Sequence, residues 1–222
     1  MKILIVYAHP ERKSFNGAMF QEACRVLEAE GHQVQTSDLY GMAFKPVSDA
    51  SNFTGLQNPD YFKQQLEELH ATANHLFSSE LKPEIKKIEW CELMIWQFPL
   101  WWFSVPAILK GWVDRTFAMG QAYGSGRIYE TGFFKDKKAL LSLTTGGPQD
   151  AYLKDGLQGD INGILRPLQR GILQFTGFKV LTPHVVYGPA RMSGEEREYE
   201  LKRWGDRLRI VADEPEFNVG RY

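Results

Sequence analysis

The chain has 222 residues, 43% apolar and 24% charged, enough to enclose the core of one globular domain over residues 1–222 and unlike a disordered or fibrous composition. A formal net charge of −1 with no basic run excludes a general attraction to nucleic acid or an anionic membrane, and no window approaches the roughly 20 apolar residues of a membrane span. Cys24 and Cys91 are expected as reduced, buried thiols of a cytoplasmic protein, since the opening Met1–Tyr7 run is too short for a secretion signal.

Lys2 to Ala8 is a near-continuous apolar run that reads as a first, buried strand. The polar loop His9–Ser14 follows, then a helical pattern through Met19, Ala23, Val26 and Leu27, with Ser14 as N-cap and Gly31 as stop. A strand, a polar loop and a helix N-terminus in succession can hold an anion, because first-turn N–H groups are unpaired there. The spacing matches neither the glycine-rich dinucleotide fingerprint nor a Walker loop, so a plain connection is the alternative. Gln33 to Leu39 reads as a second strand nearer an edge. The long segment Tyr40–Lys82 is broken at Pro46, Gly55 and Pro59, predicts a helix over Asp60–Leu69, and suits a binding surface or interface. His70 and His75 are five apart and lack a companion ligand, so they read as solvated histidines and no metal is expected.

The run Leu93–Trp96 lacks alternation and reads as a strand covered on both faces, ended by Pro99. Pro106 suits a first helical turn, continued by Ala107–Lys110, which leaves Leu100–Ser104 as a short loop. That loop carries Trp101, Trp102 and Phe103 in succession. Three such side chains cannot all enter one core from a short loop, so at least one faces a flat ligand or a partner subunit. The turn Gln121–Gly126 lacks a nucleophile elbow. Lys138–Leu143 is a fourth strand ending in Thr144-Thr145-Gly146-Gly147, where glycine lets backbone N–H groups approach a ligand, or simply makes a tight turn. A helix is predicted over Pro167–Phe175, closed by Gly177, then a fifth strand over Lys179–Tyr187 that Pro183 interrupts. Ser193-Gly194-Glu195-Glu196 has capping-box spacing and opens a last helix with Leu201, Trp204, Leu208 and Val211 on one face.

Strands alternating with helices give a doubly wound α/β fold, a five-stranded parallel sheet with helices on both faces. In strand order 2-1-3-4-5 the loops after strands one, three and four share one edge at the switch point. Anion loop, aromatic loop and glycine loop then converge, which suits a planar cofactor with a phosphate tail, namely a flavin.

These loops resemble those of the two-electron NAD(P)H:quinone oxidoreductases, the DT-diaphorase family of flavodoxin-like flavoproteins. The matching stretches are Ala8-His9-Pro10-Glu11-Arg12-Lys13-Ser14-Phe15-Asn16, Gln97-Phe98-Pro99-Leu100-Trp101-Trp102-Phe103-Ser104-Val105-Pro106-Ala107-Ile108-Leu109-Lys110-Gly111-Trp112, and Thr144-Thr145-Gly146-Gly147. The resemblance implies a homodimer with FAD at the interface, FMN being the alternative, and a hydride passed from NAD(P)H through the flavin to a quinone. It implies that His9, Ser14, Phe15, Asn16 and Ala18 hold the phosphate and ribityl part. Pro99, Leu100, Trp101, Trp102 and Phe103 would line the isoalloxazine, and Thr144, Thr145, Gly146 and Gly147 its pyrimidine edge. Asp114 and Arg197, with the loop Asn58–Phe62, fall on the distal nucleotide side. Tyr152 matches the family's catalytic tyrosine, Gln158 its partner position, and Tyr123 and Phe175 the substrate pocket. Two departures stand out. Gln158 replaces the histidine of the mammalian enzymes and cannot take up a proton near neutral pH. The sequence also ends at Tyr222, without the long extension that closes the mammalian pocket, which implies a more open site. The expected dimer interface includes part of the Trp101–Phe103 loop and Trp112. Rival readings are a regulatory flavoprotein subunit of a membrane transporter, and a one-electron carrier, against which the charge of −1 argues.

Overall fold

A computed structural model of the chain describes residues 1–220. Strand β1 (Lys2–Tyr7) leads into helix α1 (Phe15–Ala29) and strand β2 (Gln33–Asp38). Helices α2 (Gln64–Asn74) and α3 (Leu81–Trp90) precede the central strand β3 (Leu93–Pro99), then α4 (Ala107–Thr116) and β4 (Lys138–Thr145). Helix α5 (Ile161–Leu168), short strands β5 (Lys179–Val180) and β6 (His184–Tyr187), and α6 (Gly194–Arg209) complete the order. All pairings are parallel, in the order β2-β1-β3-β4, with β5 and β6 both beside β4. The fifth position of the expected sheet is thus one line of chain broken at Pro183, which has no N–H to give the ladder.

The two faces carry separate cores, because a parallel strand buried on both sides must be apolar at every position. Every residue of β3 is buried. One face packs Met19, Ala23 and Leu27 of α1 against Trp204 and Leu208 of α6 over Ile5, Ile95 and Leu140. The other packs Ile85 and Ile88 of α3, Leu109 and Trp112 of α4 and Leu165 of α5 over Met94, Trp96 and Leu141. Each Leu or Ile so enclosed contributes about 1.5–3 kcal/mol relative to exposure.

Several expectations change. The helix expected from Asp60 starts at Gln64, because the Asn58 side chain accepts the amides of Asp60 and Tyr61 at 3.1 and 3.2 Å and holds a turn there. It runs on to Asn74 and stops at His75, whose φ is +58°. Helix α3 was not anticipated; Pro83 sits in its first turn, where a missing N–H is harmless. The helix expected at Pro167 begins at Ile161 behind an Asp160 cap and widens past the proline into a π-helical turn over Gln169–Gln174. Trp112 does not reach an interface: it is fully buried and its Nε1–H donates to Glu84 Oε2 at 2.8 Å. Cys91 is buried and Cys24 half-buried, and burial pushes both thiols up to about 11, so neither is a ready nucleophile. No helix among the described residues is long and apolar enough to cross a membrane.

Candidate active site

The loop after β1 is built around the start of α1. Ser14 caps the helix, its Oγ accepting the Gly17 N–H at 3.1 Å while its carbonyl takes the Ala18 N–H at 2.9 Å. The amides of Phe15 and Asn16 have no partner in the helix and are left to whatever lies at its end. Gly17 is obligatory: a Cβ there would stand 2.0 Å from the Arg12 carbonyl oxygen, so only glycine lets the loop close over the helix. His9 Nδ1 lies 3.0 Å from both the amide nitrogen and the carbonyl oxygen of Glu11, which ties the ring to its own loop and leaves Nε2 facing outward.

The loop after β3 is a two-residue turn. Trp101 and Ser104 exchange N–H···O=C bonds at 3.0 Å in both directions, and Trp102 and Phe103 between them have φ of +50° and +59°. Positive φ at both central positions matches a type I′ turn, which favours Asn and Gly. Bulky residues there cost about 1–2 kcal/mol each. This strain stands at the end of the central strand, with Trp102 96% and Phe103 48% exposed.

The loop after β4 offers backbone. Nothing lies within 4 Å of where a Gly146 Cβ would stand, so its main chain is open. Gly147 is covered by the Tyr152 ring, 3.2 Å from the corresponding point. Tyr152 is buried and lies 5.8 Å from the Tyr187 ring. Gln158 is exposed and its backbone N–H donates to the Ala151 carbonyl at 2.7 Å; among the described residues no hydrogen bond joins its side chain to Tyr152.

Buried polar side chains tie the loops together. Asn16, 2% exposed, donates from Nδ2 to Thr144 Oγ1 at 2.7 Å and accepts at Oδ1 from Gln97 Nε2 at 2.7 Å. Gln97 was read only as part of a motif, yet a glutamine after four apolar residues in a fully buried strand is the signal of such a tie. The loops enclose a cleft of about 720 Å³ lined by His9, Lys13, Ser14, Phe15, Asn16 and Ala18, by Pro99, Leu100 and Trp101, and by Thr144, Thr145 and Gly146. It continues past Pro189, Ala190 and Gly194 to Arg197, Glu198 and Leu201 at the start of α6, whose capping box is formed by Ser193 and Glu196. Lys13 was read only as part of the loop motif and Leu201 only as an apolar position of the last helix, while Pro189, Ala190 and Glu198 carried no signal in the sequence. Trp102, Phe103, Gly147 and Tyr152 lie outside this lining.

Asp114, Tyr123 and Phe175 line a second cleft of about 470 Å³ instead. There Gln64, Gln65 and Glu68 of α2 meet Val113 and Asp114 of α4, Tyr123, and Ile172 of the π-helical turn. Asp114 is paired with Lys110 at 2.6 Å.

The first cleft fits a flavin by its own features: uncommitted helix amides with Lys13 and Arg197 for phosphate, an aromatic and proline wall for a flat ring, and open glycine backbone for a polar edge. A family model for the flavodoxin-like fold matches residues 1–208. The chain is 47% identical over 214 residues to the rat "Ribosyldihydronicotinamide dehydrogenase [quinone]", covering 96% of this chain and 93% of that protein. It is 43% identical to the guinea pig "NAD(P)H dehydrogenase [quinone] 1", covering 96% and 78%. A crystal structure of a putative quinone reductase from Klebsiella pneumoniae superposes with a TM-score of 0.94 at 38% identity, covering 97% of this chain and 86% of that one. Matched by the family model over residues 1–208 and by a near full-length relative at 47% identity, this chain belongs to the flavodoxin-like family.

Proposed function

We propose that the chain is an NAD(P)H:quinone oxidoreductase that holds flavin in the first cleft and works as a homodimer. The observation that carries this reading is the convergence of a helix N-terminus, an aromatic loop and open glycine backbone on one cleft at the switch point of the sheet. The relatives reported above are dehydrogenases by name, which favours an enzyme over a transporter subunit. When bound, the flavin supplies two-electron chemistry, taking a hydride from a reduced nicotinamide and giving it to a quinone.

The chain's own residues position and tune that chemistry. Ser14 fixes the α1 terminus so that the amides of Phe15 and Asn16 meet phosphate. Pro99, Leu100 and Trp101 exclude water from the ring, and Thr144 and Thr145 flank its polar edge. The Gly146 and Gly147 amides, with the Tyr152 hydroxyl, stabilise negative charge at that edge. Gln158 serves as a hydrogen-bonding side chain with no proton to give near neutral pH. FAD is favoured over FMN because the cleft extends beyond the anion end to Arg197 and Leu201, leaving room for a second nucleotide half.

The homodimer accounts for the exposed apolar surface of Trp102 and Phe103 together with Tyr61, Phe62 and Leu66. It also accounts for the division of the site residues between two clefts. Asp114, Tyr123 and Phe175 of one copy complete the flavin cleft of the other, as acceptor and distal-nucleotide contacts. Heat release of the flavin followed by chromatography tests the cofactor, FAD being expected and FMN overturning that choice. Donor oxidation that depends on added quinone is expected with NADH or NADPH; activity with ribosyldihydronicotinamide alone would overturn the donor assignment.

A further inference from the structure

Glu68 lines the second cleft but is 5% exposed. Its Oε2 accepts the Met119 N–H at 2.6 Å and its Oε1 accepts from Gln64 Nε2 at 2.9 Å. The Tyr123 hydroxyl lies 3.5 Å from Oε2 and accepts from Gln65 Nε2 at 3.2 Å. With one Tyr123 lone pair taken by Gln65, the hydroxyl proton has two destinations, and the state of Glu68 decides between them. An ionised Glu68 draws that proton inward and leaves Tyr123 presenting only a lone pair to the cleft. A protonated Glu68 donates to the Tyr123 oxygen and turns the hydroxyl proton outward, toward an acceptor's carbonyl oxygen.

We propose that Glu68 is a positioning residue and proton reservoir for acceptor reduction, acting through Tyr123. The inference rests on the reading of this cleft as the acceptor half-site. In the step, the quinone gains two electrons and one proton as hydride. Its oxygen then takes the Tyr123 proton, forming one O–H bond and breaking another, while the Glu68 proton moves to the Tyr123 oxygen. The resulting carboxylate recovers a proton from water, so one hydride and one proton are consumed for each hydroquinone formed. Burial pushes the Glu68 carboxyl above its usual range, against the lowering effect of the Met119, Gln64 and Tyr123 hydrogen bonds. The titratable groups facing it are Tyr123, itself raised chiefly by burial, and Asp114 of α4, held by Lys110. The π-helical turn contributes the uncharged Gly171 and Ile172 to the cleft, followed by Phe175 and Thr176.

The test is the binding of 1,4-naphthoquinone to the flavin-loaded protein without donor, followed by calorimetry across pH, with reoxidation of the donor-treated protein by the same quinone measured in parallel. Wild-type affinity is expected to be constant below the Glu68 titration and to fall about tenfold per pH unit above it until it levels off. Glu68→Gln is expected to bind independently of pH and to slow reoxidation. Tyr123→Phe is expected to bind weakly at every pH, and this second variant decides the matter if the first does not fold. A wild-type pH profile retained in either variant overturns the proposal. If the wild-type protein binds no naphthoquinone at any pH, the acceptor reading itself fails and this proposal fails with it.

Discussion

Replacing Asn16 by leucine tests whether one buried side chain holds the first and fourth loops in place. Leucine has the same number and branching of side-chain heavy atoms, so the change removes hydrogen bonds without opening a cavity. Two bonds of 2.7 Å disappear, to Thr144 Oγ1 and from Gln97 Nε2. The loss exceeds the net value of two bonds because the former partners stay buried. Gln97 Oε1 already has no partner, and its Nε2 would keep only the Met19 sulfur at 3.7 Å. An orphaned buried polar group costs about 1–3 kcal/mol, so the two together cost roughly 2–6 kcal/mol, a large part of the total stability of a domain. Urea unfolding is expected to give an unfolding free energy lower by that amount, seen as a lower midpoint at an unchanged slope, and the purified variant is expected to carry less flavin than wild type. A variant within about 0.5 kcal/mol of wild type and fully loaded with flavin would refute the idea that Asn16 joins the loops.

His184 is 2% exposed, and burial, with the charges of Arg203 and Arg207, lowers its pKa from 6.5 to about 3. A depressed pKa of this kind contributes stability that is complete above the unfolded value and is lost as pH falls toward the folded one. The loss at about pH 5 is roughly 2 kcal/mol. Urea midpoints at about pH 7 and 5 check this, and an equal drop in His184→Gln would contradict it. Trp102→Asn relieves a left-handed tryptophan and is expected to stabilise the isolated chain by about 0.5–1 kcal/mol while weakening the dimer. Unchanged dimerisation in sedimentation would remove Trp102 from the interface. Tyr152→Phe is expected to slow reduction by NAD(P)H about ten- to a hundredfold with flavin content unchanged, and stopped-flow traces that match wild type would leave Tyr152 a packing role only.

The sheet was legible because its inner strands are largely apolar and end in recognisable breaks. Leu93–Trp96 announced a covered strand, and Pro183 announced the gap between β5 and β6. Ser14 and Ser193 were legible as caps because capping chemistry is local. What the sequence concealed was set by distant contacts. The start of α2 depends on the Asn58 side chain, a competition between turn and helix that propensity does not decide. Trp112 reads as an interface residue until α3, itself unforeseen, supplies Glu84 as its partner. Glu67 and Glu68 look like a solvated pair on a helix, yet both are buried, Glu67 taking the amides of Gln57 and Asn58 at 2.6 and 3.0 Å. The convergence of His9, Trp101 and Gly146 on one cleft followed from strand order alone, whereas the separation of Tyr123 and Phe175 into another cleft depends on how the chain folds between strands.

The account turns on a flavin in the first cleft that passes a hydride to a quinone, and an anaerobic titration of the purified protein tests this most directly. The protein as isolated should be yellow, with one flavin per chain. One equivalent of NADH or NADPH should bleach that flavin completely, and one equivalent of 1,4-naphthoquinone should restore the colour without a one-electron signal. A colourless protein that takes up neither FAD nor FMN, or a bleached flavin that naphthoquinone leaves bleached, would contradict it.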